Sequence, residues 1–217
     1  MKMASLVQEK LLVEAAFHYS QEISEKTLNY LEGRGISEVT AARFQLGTIT
    51  NPIAGHESYL GWLSIPYITA LGMVAGFKFR RLDDGNPKYG SPLGQKSHLY
   101  NVSDVILDSH RIAVCEGELD TVILSGVYGI PTVGIPGVAA WKPHFVKLLG
   151  GYDTIFIIGD NDIKKDGTNP GADFAKRVAS EVLNGTIISL PPSMDINDFY
   201  LANGIEGIKK LLGEKSE

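Results

Sequence analysis

The chain has 217 residues, of which 44% are hydrophobic and 21% charged, a composition typical of a soluble globular protein with one large or two small domains. Its single cysteine excludes an internal disulfide bond, and its five scattered histidines show no ligand spacing, so we expect no zinc site and only oxygen ligands for any metal. No run approaches the roughly 18 apolar residues of a membrane helix, and the N-terminus lacks the pattern of a signal peptide, so we expect a cytoplasmic protein without a membrane partner.

The charge is unevenly distributed along the chain. The net charge of −5 by itself disfavours a nucleic-acid partner, because phosphate binding depends on Lys and Arg. Residues 76–98, however, contain five basic side chains against two acidic ones, an excess of three positive charges that leaves −8 for the remainder. Acidic clusters that bind divalent cations do not repel phosphate, so this distribution remains compatible with an anionic ligand.

The first half of the chain predicts helices followed by antiparallel strands. Residues 6–45 have the pattern of helices, with Ser24 and Ser37 as N-caps of two of them. Residues 58–101 are rich in aromatic and β-branched residues interrupted by glycines, which predicts an antiparallel meander. We therefore predict a mixed α+β N-terminal lobe over residues 1–105.

The second half alternates β-branched runs with helical segments, which predicts a parallel sheet flanked by helices over residues 106–217. The predicted strands cover residues 111–117, 130–135, 154–160 and 186–192. The predicted helices cover residues 118–127, 140–151, 171–185 and 195–204, the last two stopped by Gly185 and Gly204.

Acidic residues follow the ends of the predicted parallel strands. Glu116 ends the first strand, and Asp120 lies one helical turn later. Asp160 ends the third strand with Asp162 just beyond it, and Asp195 follows the fourth. Because ligands bind at the carboxyl edge of an open parallel sheet, we expect these carboxylates to converge. Neighbouring carboxylates remain ionised together only beside a cation, so the pattern predicts bound Mg²⁺ or Mn²⁺.

Simpler structural explanations are also open for these residues. Residues 156–167 could form a strand followed by a solvated turn. Glu116 could be a carboxylate favoured by a helix dipole, and Asp195 an N-cap. The second strand delivers Gly134, Pro136 and Gly137 to the same edge, where they are expected to let the backbone approach a ligand closely. Cys115, inside an apolar run, is predicted to be a core residue rather than a nucleophile.

Motifs in both halves resemble one family. EGELD (116–120), GDND (159–162) and DIND (195–198), at successive strand ends, resemble the Toprim domain, the Mg²⁺-dependent module of DnaG-type primases, topoisomerases and some nucleases. The first half is similar to the N-terminal lobe of the DnaG-type primase catalytic core through YLEGRGISEVTAARFQLG (30–47) and GMVAGFKFRRLDDGNPKYGSP (72–92). Topoisomerases and Toprim nucleases are not expected to carry this lobe.

This resemblance implies a Toprim-like parallel sheet flanked by helices, preceded by the basic mixed lobe. It implies two-metal synthesis of RNA primers from ribonucleoside triphosphates on a single-stranded DNA template, with Mg²⁺ or Mn²⁺ as cofactor. The implied metal ligands are Glu116, Asp160 and Asp162, flanked by Asp120 and Asp195. The implied template- and nucleotide-binding residues are Arg80, Lys88 and Lys96, with Lys88 also in a catalytic role. We expect the neighbouring Lys78 and Arg81 to help hold template and triphosphate.

The sequence departs from the family pattern in three respects. Asn197 occupies a position that is acidic in the family, and the small residues expected soon after the paired aspartates come late, as Gly171 and Ala172. The delay is caused by an insertion over residues 163–170, which we interpret as a solvated loop. The family's zinc-binding and helicase-contacting regions are not expected, so a separate helicase or zinc-ribbon protein is an expected partner. Two other functions stay open: a nucleic-acid-binding accessory protein and a Toprim nuclease.

Overall fold

The computed structural model describes residues 6–214, so the outermost ends of both predicted lobes lie outside the described residues. The chain forms two compact units, one reaching to His98 and one beginning at Leu99. The predicted boundary at residue 105 falls inside the second unit, because Tyr100 forms backbone hydrogen bonds with Gly134 of that unit. None of the helices within the described part of the chain is long and apolar enough to span a membrane.

Three helices open the first unit. They are α1 (Leu6–Gln21), α2 (Glu25–Glu32) and α3 (Glu38–Arg43). Both predicted N-caps are confirmed: the Ser24 hydroxyl accepts a hydrogen bond from the Thr27 N–H and the Ser37 hydroxyl from the Thr40 N–H, each at 3.2 Å. Each cap satisfies one of the amide groups that the first helical turn leaves without a backbone partner.

The first unit then forms the predicted antiparallel sheet. Its strands, in spatial order, are β1 (Gly47–Thr48), β2 (Leu63–Ile68), β3 (Val74–Arg80) and β4 (Tyr89–Gly90). Strand β3 alternates: Phe77 and Phe79 are buried in the core, with ring centroids 5.7 Å apart, whereas Lys78 and Arg80 are half-buried on the opposite face. Side chains alternate between faces along a strand, so this register places both cations on one surface.

The second unit contains the predicted parallel sheet. Its strands are β5 (Arg111–Glu116), β6 (Thr132–Ile135), β7 (Thr154–Ile158) and β8 (Gly185–Ile188), in the spatial order β6-β5-β7-β8. All three pairings are parallel. Cys115 is in register with both Gly134 and Ile158, so the carboxyl ends of β6, β5 and β7 are level at one edge.

The helices that flank this sheet follow the prediction in part. They are α4 (Glu118–Thr121), continued by a π-helical segment Val122–Tyr128, then α5 (Pro170–Glu181) and α6 (Ile196–Leu211). Gly204, predicted to end the last helix, interrupts α6 with a φ of 65°, but the chain becomes helical again and continues to Leu211. A glycine accommodates this break because it lacks the Cβ that restricts positive φ.

Two local predictions are wrong. The segment predicted as one helix over residues 140–151 starts at the end of the short 3₁₀ turn Val138–Ala140 and contains a second 3₁₀ turn, Pro143–Leu148. Pro143 lacks the N–H group that would continue a helix from the residues before it, so a new turn begins there. Gly185 does not end α5, which stops at Glu181; it begins β8 instead.

A buried carboxylate joins the start of the second unit to its sheet. Asp104 is 4% exposed and accepts hydrogen bonds from the Ser125 hydroxyl at 2.6 Å and the Thr132 N–H at 3.0 Å. These bonds link three segments that are distant in sequence: the turn after Asn101, the π-helical segment and the first residue of β6.

We expect Asp104→Ala to lower the free energy of unfolding by about 1–3 kcal/mol, because it leaves the buried Thr132 N–H without its acceptor. Urea denaturation followed by circular dichroism measures the change. Asp108→Ala, at an exposed position nearby, is the matched control and should change stability by no more than about 0.5 kcal/mol. Equal effects of the two substitutions would contradict the structural role of Asp104.

Candidate functional site

The first acidic segment of the site lies at the end of β5. Glu116 is the last residue of the strand, and Gly117 turns the chain into α4 with φ 96° and ψ 155°. Residues other than glycine rarely adopt this conformation. The Thr121 hydroxyl donates a hydrogen bond to the Gly117 carbonyl at 2.8 Å and so closes the turn. The Glu116 carboxylate is thereby held at the carboxyl edge of the sheet.

The second acidic segment depends on two glycines whose backbones touch. Asp160 follows β7 and Gly159, and Gly171 is the second residue of α5. A Cβ atom on Gly171 would lie 2.1 Å from the Asp160 carbonyl oxygen, and one on Gly159 would lie 2.1 Å from the Gly171 carbonyl oxygen. The inserted residues 163–170 therefore loop out and return the chain to the backbone of Asp160.

Asn161, between the two aspartates, anchors this segment to the next one. Its N–H donates to the Met194 carbonyl at 3.0 Å, and its carbonyl accepts from the Ser193 N–H at 2.8 Å. Its side-chain amide donates to the Leu190 carbonyl at 2.6 Å, and its side-chain oxygen accepts from Asn169 at 2.7 Å. These bonds fix both aspartates relative to the chain that leads to Asp195. The only indication of this role in the sequence is an asparagine between two aspartates directly after a strand.

Three carboxylates act on Asp160 at this edge. Burial, the largest cause, and the nearby charges of Glu116, Asp195 and Asp162 together raise the pKa of Asp160 from its ordinary value of 3.8 to about 7. Lys164 opposes them and lowers this pKa. The structure therefore brings together Glu116, Asp160, Asp162 and Asp195, as the strand ends suggested, and it adds a lysine from the insertion.

Two of the predicted ligands also have partners in the backbone. Asp195 accepts a hydrogen bond from the Asp198 N–H at 2.7 Å and is the N-cap of α6, while its carboxylate still acts on Asp160. Asp120 is buried and accepts from the Asn197 N–H at 3.1 Å, so it connects α4 to the start of α6. A carboxylate has two oxygens and about four acceptor sites, so a capping bond does not preclude a second ligand.

The donor set fits a hydrated hard cation. In residues 6–214, no three His, Cys, Asp or Glu side chains form a ready-made cluster that could enclose a metal ion. The side chains that converge are all carboxylates, and their mutual repulsion is what a divalent charge would relieve. Mg²⁺ commonly keeps several waters and binds through one or two carboxylates, which suits an open edge of this kind.

Two sequence expectations near the site have different outcomes. Gly134 and Gly137 were expected to let the backbone approach a ligand. The space beside Gly134 is filled, because an added Cβ would lie 2.3 Å from the Thr121 hydroxyl oxygen, whereas a Cβ on Gly137 would meet no atom within 4 Å. The prediction that Cys115 is a core residue is confirmed, because its sulfur is buried 3.3 Å from the same hydroxyl oxygen. Burial also raises the pKa of the Cys115 thiol well above its usual value.

The basic residues of β3 lie against aromatic rings. The Lys78 ammonium is 4.6 Å and the Arg80 guanidinium 4.8 Å from the centre of the Tyr89 ring, and Arg80 also lies 5.1 Å from the Tyr30 ring. The Arg80 guanidinium additionally donates to the Tyr89 hydroxyl. Cation–π contacts of this kind restrict long, flexible side chains without neutralising their charge.

The remaining predicted basic residues differ in how firmly they are held. Arg81 lies 4.4 Å from the Trp62 ring and 3.4 Å from the Asp83 carboxylate, and its N–H donates to the Lys88 carbonyl at 2.9 Å. The Lys88 and Lys96 side chains are exposed. The first unit therefore presents some cations in fixed positions and others in solvent.

Comparisons with known proteins agree with this architecture. No protein-family model matches the chain. The chain is 40% identical over 154 residues to the gene 57 protein of Mycobacterium phage D29. The matched region covers 69% of this chain and 97% of the phage protein. The chain is 25% identical over 215 residues to a DNA primase of Clostridium acetobutylicum, which covers 95% of this chain, and it spans only 35% of that primase. The structure is also similar to a solved DnaG catalytic core, with a TM-score of 0.77 and 20% sequence identity. The matched region covers 94% of this chain and 79% of the DnaG chain.

The mixed lobe followed by a parallel sheet with an acidic edge is the architecture of a DnaG-type primase catalytic core. Within that class, the chain belongs to the family of the gene 57 protein of phage D29.

We expect Gly171→Ala to destabilise the protein and to weaken divalent metal binding. Alanine is normally about 1 kcal/mol better than glycine within a helix, but here its methyl group would collide with the Asp160 backbone, a cost of about 1–3 kcal/mol that can exceed the helical gain. Urea denaturation and Mn²⁺ titration measure the two effects. Gly151→Ala, where an added Cβ meets no atom within 4 Å, is the control. A stabilised Gly171→Ala variant with normal metal binding would refute the close contact.

The raised pKa of Asp160 predicts a pH-dependent stability in the absence of metal. Between about pH 4 and pH 7 the folded chain retains the Asp160 proton while the unfolded chain has released it, so this group's contribution to stability is lost as the pH rises. Asp160→Asn should therefore become progressively more stable than the parent from pH 4 to pH 7, with a constant difference above that. Urea denaturation in EDTA at several pH values tests this, with exposed Asp173→Asn as control. Parallel pH profiles of Asp160→Asn and the parent would contradict it.

Proposed function

We propose that this chain synthesises RNA primers on single-stranded DNA by nucleotidyl transfer that depends on two divalent metal ions, Mg²⁺ or Mn²⁺. The observation that carries the proposal is the group of four carboxylates at one edge of the parallel sheet, within a DnaG-type fold. Relatives named DNA primase support the reaction class. Because the chain spans 35% and 42% of their lengths, activity of this chain by itself is part of the proposal.

The acidic edge would hold the metal ions through Glu116, Asp160 and Asp162, with Asp195 beside them. Bound divalent ions neutralise phosphate charge and lower the pKa of an attacking hydroxyl group. The chain's own contribution is to preorganise the site. The contact of Gly171 with the Asp160 backbone keeps the carboxylates in place before any ligand arrives. Asp160 must lose its proton to bind a cation, so metal binding should strengthen as the pH rises through about 7.

The basic side chains of the first unit would bind the DNA template and the nucleotide. Lys78, Arg80 and Arg81 are held against aromatic rings, which reduces the conformational entropy lost when they contact phosphate. Lys88, proposed to act directly on the nucleotide, and Lys96 are exposed and free to follow an anionic ligand. A solved DnaG primase catalytic domain bound to single-stranded DNA supports the choice of template.

Three classes of partner follow from this proposal. They are single-stranded DNA, ribonucleoside triphosphates, and a separate helicase or zinc-ribbon protein that would direct initiation. The accessory-protein and nuclease alternatives have no specific observation in their favour, and the assay below separates them from synthesis.

The test is incorporation of labelled ribonucleotides on single-stranded DNA with Mg²⁺ or Mn²⁺. We expect primers from the parent chain and a loss of at least about 100-fold from Asp160→Ala or Asp162→Ala, because each removes a proposed metal ligand. Asp173→Ala, an exposed aspartate in the first turn of α5, should retain full synthesis.

Gel separation of the products distinguishes the alternatives. Cleaved DNA without extended products would indicate a nuclease. DNA binding that persists in EDTA, with no synthesis at any metal concentration, would indicate an accessory protein. Unchanged synthesis by Asp160→Ala would refute the assigned role of the acidic edge.

A further inference from the structure

The insertion brings a lysine to the acidic edge. Lys164 is the second residue of the inserted segment 163–170, and its ammonium lies 3.6 Å from the Asp162 carboxylate. Its charge also lowers the pKa of the neighbouring Asp160. One positive side chain of the insertion therefore acts on both aspartates that are proposed to bind metal.

The inserted loop has a defined internal structure that holds Lys164 in place. The Lys164 N–H donates to the Thr168 carbonyl at 2.8 Å, and the Lys164 carbonyl accepts from the Gly167 N–H at 2.9 Å. Asp166 accepts from both the N–H and the hydroxyl of Thr168, at 3.0 and 2.7 Å. Asn169 joins the base of the loop to Asn161 at 2.7 Å. The backbone of Lys164 is thus fixed relative to the aspartates, while its side chain is 54% exposed.

The contact between Lys164 and Asp162 contributes little to folding. The two side chains are 54% and 60% exposed, and ion pairs in such positions are weak because water screens them and flexible side chains lose entropy. A weak pair is easily exchanged. A divalent cation at Asp162 would repel the ammonium, and the four-carbon stem of lysine lets its charge move to another anion nearby. In the proposed reaction, the anion that arrives at this edge is the nucleotide triphosphate.

We propose that Lys164 serves as a built-in counter-cation of the acidic edge: it neutralises Asp162 before metal binds, and then, displaced by the metal, binds a phosphate of the incoming nucleotide. This inference rests on the proposed function for the identity of the phosphate ligand. It makes Lys164 a nucleotide-positioning residue and gives the insertion a role beyond that of a solvated loop. Lys165, the adjacent lysine, is exposed and provides a matched control of equal charge.

The first measurement is Mn²⁺ binding to the full chain, followed by electron paramagnetic resonance without nucleotide. Lys164→Ala should bind Mn²⁺ about threefold to tenfold more tightly than the parent, because the metal no longer competes with the ammonium for Asp162. Lys164→Arg should stay within about twofold of the parent, because it preserves the charge. Lys165→Ala should bind as the parent does.

The second measurement is binding of a nonhydrolysable GTP analogue at saturating Mn²⁺. Here Lys164→Ala should bind about fivefold to tenfold more weakly, because it has lost a charged phosphate contact, whereas Lys164→Arg and Lys165→Ala should bind normally. The opposite signs of the two effects identify an exchanging cation, since a general loss of structure would weaken both. Thermal unfolding of each variant verifies that it is folded.

Equal behaviour of Lys164→Ala and Lys165→Ala in either measurement would overturn the inference. So would weaker Mn²⁺ binding by Lys164→Ala. The proposed function is refuted by a different result, the absence of primers from the parent chain under every metal condition. The Mn²⁺ comparison needs no synthesis, so failure of one idea can be distinguished from failure of the other.

Discussion

Four carboxylates held at one edge of a parallel sheet repel one another, and the second unit is built to keep them there. Burial and the neighbouring charges raise the pKa of Asp160 to about 7, which is the electrostatic cost of the arrangement. That cost is offset by uncharged parts of the chain: the contact between Gly171 and the Asp160 backbone, and the hydrogen bonds of Asn161. A divalent cation bound at this edge would relieve the repulsion, because its positive charge favours the ionised carboxylates.

The first unit holds charges of the opposite sign by a different means. Lys78 and Arg80 lie against the Tyr89 ring, and Arg81 lies over Trp62, so aromatic faces limit the freedom of these side chains. The carboxylates of the second unit are instead positioned by backbone contacts at strand ends. Each unit therefore fixes several of its charged groups before a ligand binds, which reduces the entropy that binding must overcome.

Similarity to other proteins extends further in fold than in local detail. The chain shares its fold with a DnaG catalytic core at 20% identity, and it covers 97% of the phage D29 gene 57 protein at 40% identity. Its own features are concentrated around the acidic edge. Asn197 stands where the family pattern has an acid, and the insertion adds Lys164 beside Asp162. These differences alter the charge next to the proposed metal site and leave the sheet unchanged.

The sequence alone determined the two sheets, their strand directions and the edge to which the acidic residues belong, because alternation, β-branched runs and helix caps are local signals. It did not reveal the 3₁₀ turns before and after Trp141, where Pro143 overrides an apolar pattern. Nor did it show that Asp120 bonds to the backbone of Asn197 or that Asn161 joins two acidic segments. Those contacts join residues far apart in the chain, so only the tertiary structure decides which carboxylate faces a backbone amide and which faces its neighbours.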